Sequence, residues 1–286
     1  VRRRKKEYAA NEQLEPNTID KALAAWTQQL AAGNEQIAWT ITDGLVARYQ
    51  LDGDLTDAQA DAKLAKAEGG TMEFADRGAG KALELNGETF VNAGDVANFG
   101  YFDPCSISVW VYPRGDGTLV SRMAQETHGA GYYLHLEDRR LQFNMVKRWL
   151  DDSIRVETTS QLTLNHWQHV TMTYDGSRVA SGIRIFVDGV QQPTTANHDF
   201  LNQTMASEEP LRIGAGHSAF NGLVDDVQIY NRALKLFEVA VVSTDERIEQ
   251  IARMNAEDRS PRQTTKLRRY FLTEAAPEAI RTSQQR

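Results

Sequence analysis

The chain has 286 residues, 41% hydrophobic and 25% charged, enough for one large domain with appendages or two small domains. No apolar run approaches the ~18 residues of a bilayer-spanning helix, and the single cysteine, Cys105, excludes an intrachain disulfide, a cysteine-based zinc cluster and a C-x-x-C-H haem site. The net charge is −7; the basic stretch Val1-Arg2-Arg3-Arg4-Lys5-Lys6 has no interleaved aromatic residues or nucleic-acid motif, so it reads as a solvated end and nucleic acid is not an expected partner.

Residues 1–40 read as a helical extension. Ile19, Leu23, Trp26 and Leu30 recur at helical spacing, Asn17 is placed to cap the start, and Gly33 follows as a stop. A chain that begins at Val1 and ends in Ser283-Gln284-Gln285-Arg286 reads as a piece of a longer protein, so its compartment is not legible from its ends.

Residues 43–234 change to short alternating runs broken by Gly, Asp and Asn. The predicted strands are Leu45–Leu51, Ala82–Leu85, Ser106–Tyr112, Tyr132–Glu137, Leu141–Val146, Ile154–Thr159, Trp167–Tyr174, Ile183–Val187, Leu211–Gly214 and Leu223–Tyr230. So many short strands with tight turns predict an all-β antiparallel sandwich, because each sheet must bury one face against another. Asp188-Gly189, before Val190, is the strongest turn signal, since both residues accept the positive φ of a two-residue hairpin.

Residues 235–286 return to helix. Ser243-x-x-Glu246 has capping-box spacing ahead of Ile248, Ile251 and Met254, and Ser260-Pro261-x-Gln263 marks a second start before Leu267, Tyr270 and Phe271. These stripes read as packing surfaces.

The middle region resembles the laminin-G-like members of the concanavalin A-like lectin/glucanase superfamily. The resemblance rests on Gly44-Leu45-Val46-Ala47-Arg48-Tyr49-Gln50-Leu51-Asp52-Gly53, Lys81-Ala82-Leu83-Glu84-Leu85-Asn86-Gly87 and Ser106-Ile107-Ser108-Val109-Trp110-Val111-Tyr112-Pro113. It continues through His166-Trp167-Gln168-His169-Val170 to Tyr174-Asp175-Gly176, then Ile185-Phe186-Val187-Asp188-Gly189, and the closing strand Phe220-Asn221-Gly222-Leu223-Val224-Asp225-Asp226-Val227-Gln228-Ile229-Tyr230. It implies a two-sheet jelly-roll-like sandwich with N- and C-terminal helical extensions, and an extracytoplasmic setting; it does not specify a ligand. Arg259–Gln263 and Leu267–Leu272 resemble segments beside such sandwiches in large planctomycete multidomain proteins that often contain cytochrome-like modules, although this chain has no haem site of its own.

Asp225 shares a predicted strand face with Leu223, Val227 and Ile229, and a carboxylate in an apolar row must be compensated. The resemblance implies a structural calcium taking the Asp225 carboxylate with the backbone carbonyls of Asp52 and Gly87; hydrogen bonds to backbone amides are the metal-free alternative. Asp226, pointing the other way, is expected to be solvated or paired with Arg232.

The superfamily's E-x-D-x-E or E-x-D-x-x-E catalytic strand is not found, nor are G-x-S-x-G and H-E-x-x-H. Gly78-Ala79-Gly80-Lys81 lacks the spacing and hydroxyl of a phosphate loop. His166 and His169, three apart on a predicted strand, face opposite sides and read with Trp167 as framework, while His128, His198 and His217 fall in predicted loops.

Loop candidates for ligand contact are Arg148, Trp149, Asp151 and Asp152 in one segment and His217, Phe220 and Asn221 in another. Tyr133, His135 and Glu137 face outward if Tyr132, Leu134 and Leu136 face the core; the adjacent tyrosines leave either phase open. The expectation is a non-catalytic recognition module, with glycan as ligand by fold analogy. The alternatives are a domain that docks neighbouring modules of a parent protein, and a glycoside hydrolase with an unfamiliar acid pair.

Overall fold

A computed structural model describes residues 16–59, 64–126 and 128–284; the stretch Val1–Lys6 lies outside them. They form two compact units: residues 42–239, and a helical unit built from residues 16–41 and 240–284.

The larger unit is a sandwich of two eight-stranded antiparallel sheets. The strands are β1 (Leu45–Tyr49), β2 (Lys66–Glu68), β3 (Glu73–Arg77), β4 (Gly80–Asn86), β5 (Phe90–Gly94), β6 (Cys105–Pro113), β7 (Gly117–Met123), β8 (Gly131–Glu137), β9 (Arg140–Arg148), β10 (Asp152–Gln161), β11 (Gln168–Tyr174), β12 (Ile183–Val187), β13 (Val190–Gln191), β14 (Thr194–Phe200), β15 (Leu211–Ile213) and β16 (Asn221–Tyr230). The first sheet runs β13-β12-β11-β6-β16-β4-β3, with β1 also on β16; the second runs β14-β10-β9-β8-β7-β15-β5-β2. Alternate residues of both sheets, such as Ile107, Val109 and Val111 from β6 and Leu134, Phe143, Ile154 and Val156 from the second sheet, seal one core. Asp188 and Gly189 take φ of 49° and 76°, so the two-residue turn pairs Val187 with Val190.

The strand β16 changes neighbour halfway. Val224 pairs with Leu83 of β4, whereas Val227 pairs with Tyr49 of β1, and between them the ladder to β6 shifts register. Asp226 sits in this bulge with φ of 42°. The break in alternation settles the two aspartates. Asp225 is buried and ion-paired with Arg77 (2.6 Å), and accepts from the Asp226 amide (2.8 Å). Asp226 pairs with Arg48 (2.7 Å), not with the expected Arg232, which instead binds Glu238 (2.7 Å) and Asp43 (3.0 Å).

Of the helices, α1 (Pro16–Ala32) begins one residue before Asn17, so Asn17 lies within it and not at a cap. It is followed by α2 (Leu236–Val242), α3 (Ile248–Arg253), α4 (Pro261–Tyr270), a π-helical turn Phe271–Ala275, and α5 (Glu278–Gln284). Ser243 closes α2, donating to the Ala240 carbonyl (3.2 Å), so the expected capping box at Ser243 is not formed; Gln250 accepts from the Arg247 amide (2.8 Å) at the start of α3. Ser260 caps α4: it accepts from the Gln263 amide (3.3 Å), and Gln263 accepts from the Ser260 amide (2.7 Å). The apolar stripes pack on one another. Ile19 meets Phe271, Leu272 and Ile280, and Leu30 meets Ile248, Ile251 and Leu267, with Trp26 against both groups.

Candidate functional site

The second sheet gives one face to the core and builds a pocket of about 250 Å³ on the other. In β8, Tyr132, Leu134 and Leu136 enter the core, so Tyr133, His135 and Glu137 take the opposite face. In β9 and β10 the core takes Leu141, Phe143, Met145, Ile154 and Val156, which sends Gln142, Asn144, Arg155 and Glu157 to the pocket side. Register then lines them up: Tyr133–Asn144–Arg155 form one row across three strands and His135–Gln142–Glu157 the next. Asn197 of β14 and the loop residues His128, Trp149 and His217 complete the walls.

One end is aromatic. His128 stacks on Trp149 (3.7 Å, 9°) and on His217 (4.7 Å, 16°), and His217 lies nearly parallel to Tyr133 (5.7 Å, 14°). His128 adopts φ of 62°, in the left-handed region, and its amide donates to Nδ1 of His217 (3.4 Å). The Arg155 guanidinium lies 4.0 Å over Trp149. Met123, Tyr133 and Val146 form a small apolar cluster beneath, with Trp149 packed on it. Burial, then the neighbouring His217 and Arg155, push the His128 pKa down; burial and His217 take His135 down to about 4. Two buried polar atoms at this end, His128 Nδ1 and Arg155 Nε, have no hydrogen-bond partner among the described residues.

The other end is acidic. The Gln142 side-chain Nε2 donates to Glu137 Oε2 and to Glu157 Oε2, both at 2.8 Å, so those oxygens lie no further apart than twice that distance. Asn144 Nδ2 donates to Gln142 Oε1 at 3.4 Å, and Thr118 Oγ1 sits 3.2 Å from Nδ1 of the buried His135.

Of the residues singled out in the sequence, Trp149 and His217 line this pocket, and Tyr133 and Glu137 join them. Arg148 and Asp151 do not line it; they form a two-pronged ion pair (2.8 and 3.2 Å) in the exposed β9–β10 turn. The buried Asp152 accepts from the amides of Asn202 (2.7 Å) and Gln203 (3.4 Å), tying down the chain after β14. Phe220 is fully buried in the main core and offers no contact surface. Asn221 opens β16 on the first sheet, and its carbonyl accepts from the amides of Arg114 and Gly115. His198 belongs to β14, not a loop, with Nδ1 2.8 Å from the Ser153 carbonyl. β11 begins only at Gln168, leaving His166 exposed before it, while His169 is buried against Ser108 (2.9 Å) and edge-on to Trp110 (5.0 Å). Sequence reasoning missed Gln142, Asn144, Arg155, Glu157 and Asn197; for the first four the signal was present, as polar residues alternating with core residues along β9 and β10.

The residues implied for calcium do not fit that ion. Asp225 already holds a cation, the Arg77 guanidinium, which also lies 4.7 Å over Trp110 and 4.6 Å over Trp167. Asn86 pairs with Asn221 and Leu83 with Val224, so Gly87 lies about five residues along the sheet from the level of Asp225, roughly 17 Å at ~3.4 Å per residue. Among the described residues no group of three or more His, Cys, Asp or Glu side chains is arranged to hold a metal.

Comparison with known proteins gives a consistent fold. The family model for the concanavalin A-like lectin/glucanases superfamily matches residues 85–240. No curated protein matches by sequence. Among solved structures, the binding domain of Paraclostridial mosquitocidal protein 1 matches with a TM-score of 0.52 at 21% identity, over 69% of this chain and 51% of that one. The botulinum neurotoxin serotype C1 binding domain matches with a TM-score of 0.51 at 13% identity, over 71% and 52%. Domain 4 of AbnA, a GH43 extracellular arabinanase from Geobacillus stearothermophilus, solved with arabinotriose, has a TM-score of 0.49 at 20% identity, over 73% of this chain and all of that one. The chain spans about half the length of the two toxin domains.

Proposed function

This chain belongs to the concanavalin A-like lectin/glucanase superfamily, and from that premise we propose that it is a non-catalytic recognition module that holds one sugar unit in the pocket on the outer face of its second sheet. The observation that carries the reading is convergence. Side chains from β8, β9, β10 and β14, none adjacent across strands in sequence, place amides, carboxylates, a guanidinium and a phenol around one space walled by stacked rings. A sugar unit needs many donors and acceptors around its hydroxyls and apolar edges against its C–H surfaces. At about 250 Å³ the pocket falls below the ~300–1,000 Å³ of drug-sized sites and suits a single ring. The ring faces of Trp149 are engaged by His128 and Arg155, so recognition here is mainly polar.

The test is a glycan array probed with the full chain and with Trp149→Ala. Retention on one sugar class, weakened at least tenfold by W149A, is the expected result. A blank array, or binding that W149A leaves untouched, refutes a carbohydrate site at this place.

The spacing of Glu137 and Glu157 favours a second reading, since two carboxyl groups ~5–5.5 Å apart suit retaining glycoside hydrolysis. Against it, the inward oxygens of both are already engaged by one side-chain amide, which leaves neither free in this arrangement to hand a proton to a leaving group. Release of nitrophenol from aryl glycosides, abolished by Glu157→Gln, would establish the hydrolase instead.

A further inference from the structure

We propose that the sugar unit in this pocket carries two charges, a carboxylate met by Arg155 and an ammonium met by Glu137 and Glu157. The inference rests on the carbohydrate reading above and names the chemistry of its ligand.

Arg155 supplies the first half. Among the described residues it is the one Arg or Lys lining the pocket. Its natural counterion would be Glu157, two residues along on the same strand face, but Glu157 turns to the Gln142 amide (2.8 Å), with Arg140 beyond it at 3.9 Å. The Arg155 guanidinium therefore has no carboxylate within ion-pair distance among the described residues, rests on the Trp149 ring, and has its buried Nε unbonded. A guanidinium presents a planar donor fork that matches a carboxylate. His128 Nδ1, also buried and unbonded, is part of the same wall, and burial keeps that ring toward its neutral form, so Arg155 is the fixed positive charge there.

The acidic end supplies the second half. Glu137 and Glu157 share a neutral donor, and the Arg140 guanidinium reaches Glu157 only at 3.9 Å, so a cation placed between the two acids is favoured. Tyr133 also lines the pocket, and its hydroxyl, which bonds to no described residue, is available to an occupant. Burial pushes its pKa up, so it remains a neutral phenol able to donate or accept.

The two ends are set apart by the strand. Arg155 and Glu157 are two residues apart on β10, about 7 Å at ~3.4 Å per residue. That is the width of a sugar ring, so an amine and a carboxylate on opposite sides of one ring reach both ends. The charges of a free α-amino acid sit on adjacent carbons and do not.

The test uses matched sugars that differ only in charge: hexose, hexosamine, hexuronate and 2-amino-2-deoxyhexuronate, in gluco and galacto series, titrated calorimetrically into the full chain. The doubly charged sugar of one series should bind at least tenfold more tightly than either singly charged form, with the advantage shrinking from 50 to 500 mM salt. Arg155→Gln should erase the gain from the carboxylate alone, and Glu157→Gln the gain from the amine alone; unchanged melting of both variants shows that they fold. Equal affinity for hexose and aminohexuronate overturns the charge assignment and leaves the carbohydrate reading intact. Silence from all eight sugars while the array finds a ligand does the same, whereas silence in both removes the two readings together.

Discussion

Replacing Arg77 by methionine would strand the Asp225 carboxylate against the two tryptophans that now cradle the guanidinium. Asp225 and Arg77 side chains are 8% and 14% exposed, so solvent screens their pairing little. Even with Arg77 in place, burial pushes the Asp225 carboxyl from 3.8 up to about 7. At ~1.4 kcal/mol per tenfold change in proton affinity, that rise is roughly 4 kcal/mol of stability that the carboxylate withholds once it is ionised. The folded pKa lies above the unfolded one, so the native state binds the extra proton between pH 4 and 7, and this group's contribution falls as pH rises through that window. Removing Arg77 takes away the influence that lowers the pKa, but the stranded carboxyl can then take up a proton, so the added loss at pH 8 is about 1–2 kcal/mol, set by ~1.4 kcal/mol for the one pH unit above the folded pKa. In a unit of this size that is roughly 5 °C of melting temperature. The loss should be much smaller at pH 5, where the carboxyl holds its proton. Thermal unfolding of R77M, with Asp225→Asn and the double variant as references, measures it; R77M/D225N should recover most of the deficit. A deficit below 1 kcal/mol at pH 8, or one equal at pH 5 and pH 8, refutes the argument.

Three further outcomes can be checked by the same melts. EDTA should leave the melting temperature of the wild-type sandwich within about 1 °C, because Arg77 occupies the carboxylate that calcium would need; a larger fall would restore the metal. Ser260→Ala should cost about 1 kcal/mol by uncapping α4, detected as earlier loss of helical signal than of sheet signal. His135 has its folded pKa lowered to about 4 from 6.5, so it binds fewer protons in the native state, and its share of stability is present above pH 6.5 and lost as pH falls toward 4. His135→Gln should flatten that acid limb by roughly 2–3 kcal/mol; an unchanged slope of stability against pH would show that another group sets it.

The sandwich was legible because its ten predicted strands are those whose side chains alternate or run continuously apolar, and each is present. The strands that escaped lack that signature. β14, Thr194–Phe200, is an edge strand almost wholly exposed, so nothing in it selects a face; β7, Gly117–Met123, is buried throughout and its polar residues break the apolar run. The site was half legible for a related reason. Trp149 stood out as an aromatic residue in a polar loop, but Arg148 and Asp151 beside it satisfy each other, which sequence proximity suggested and did not reveal. The pocket floor is written in the polar positions of β9 and β10, and it becomes a site only when the register brings Tyr133, Asn144 and Arg155 into one row. Asp225 misled because alternation was extended through a bulge that only the change of partner strand explains.

The helical unit is discontinuous in the chain: the Ile37 amide is held by Glu249, 212 residues later. Between those points the sandwich closes on itself, with Asn231 donating to the Gly44 carbonyl and Arg232 to that of Asp43. A collapsed sandwich therefore acts as a short tether in place of a long one. By the logarithmic cost of loop closure this lowers the entropy penalty for joining α1 to α3 by about 2–3 kcal/mol. α1 precedes the sandwich in the chain and its packing partners Ile248, Leu267 and Phe271 follow it, so the helical unit cannot be completed until the sandwich sequence has been made.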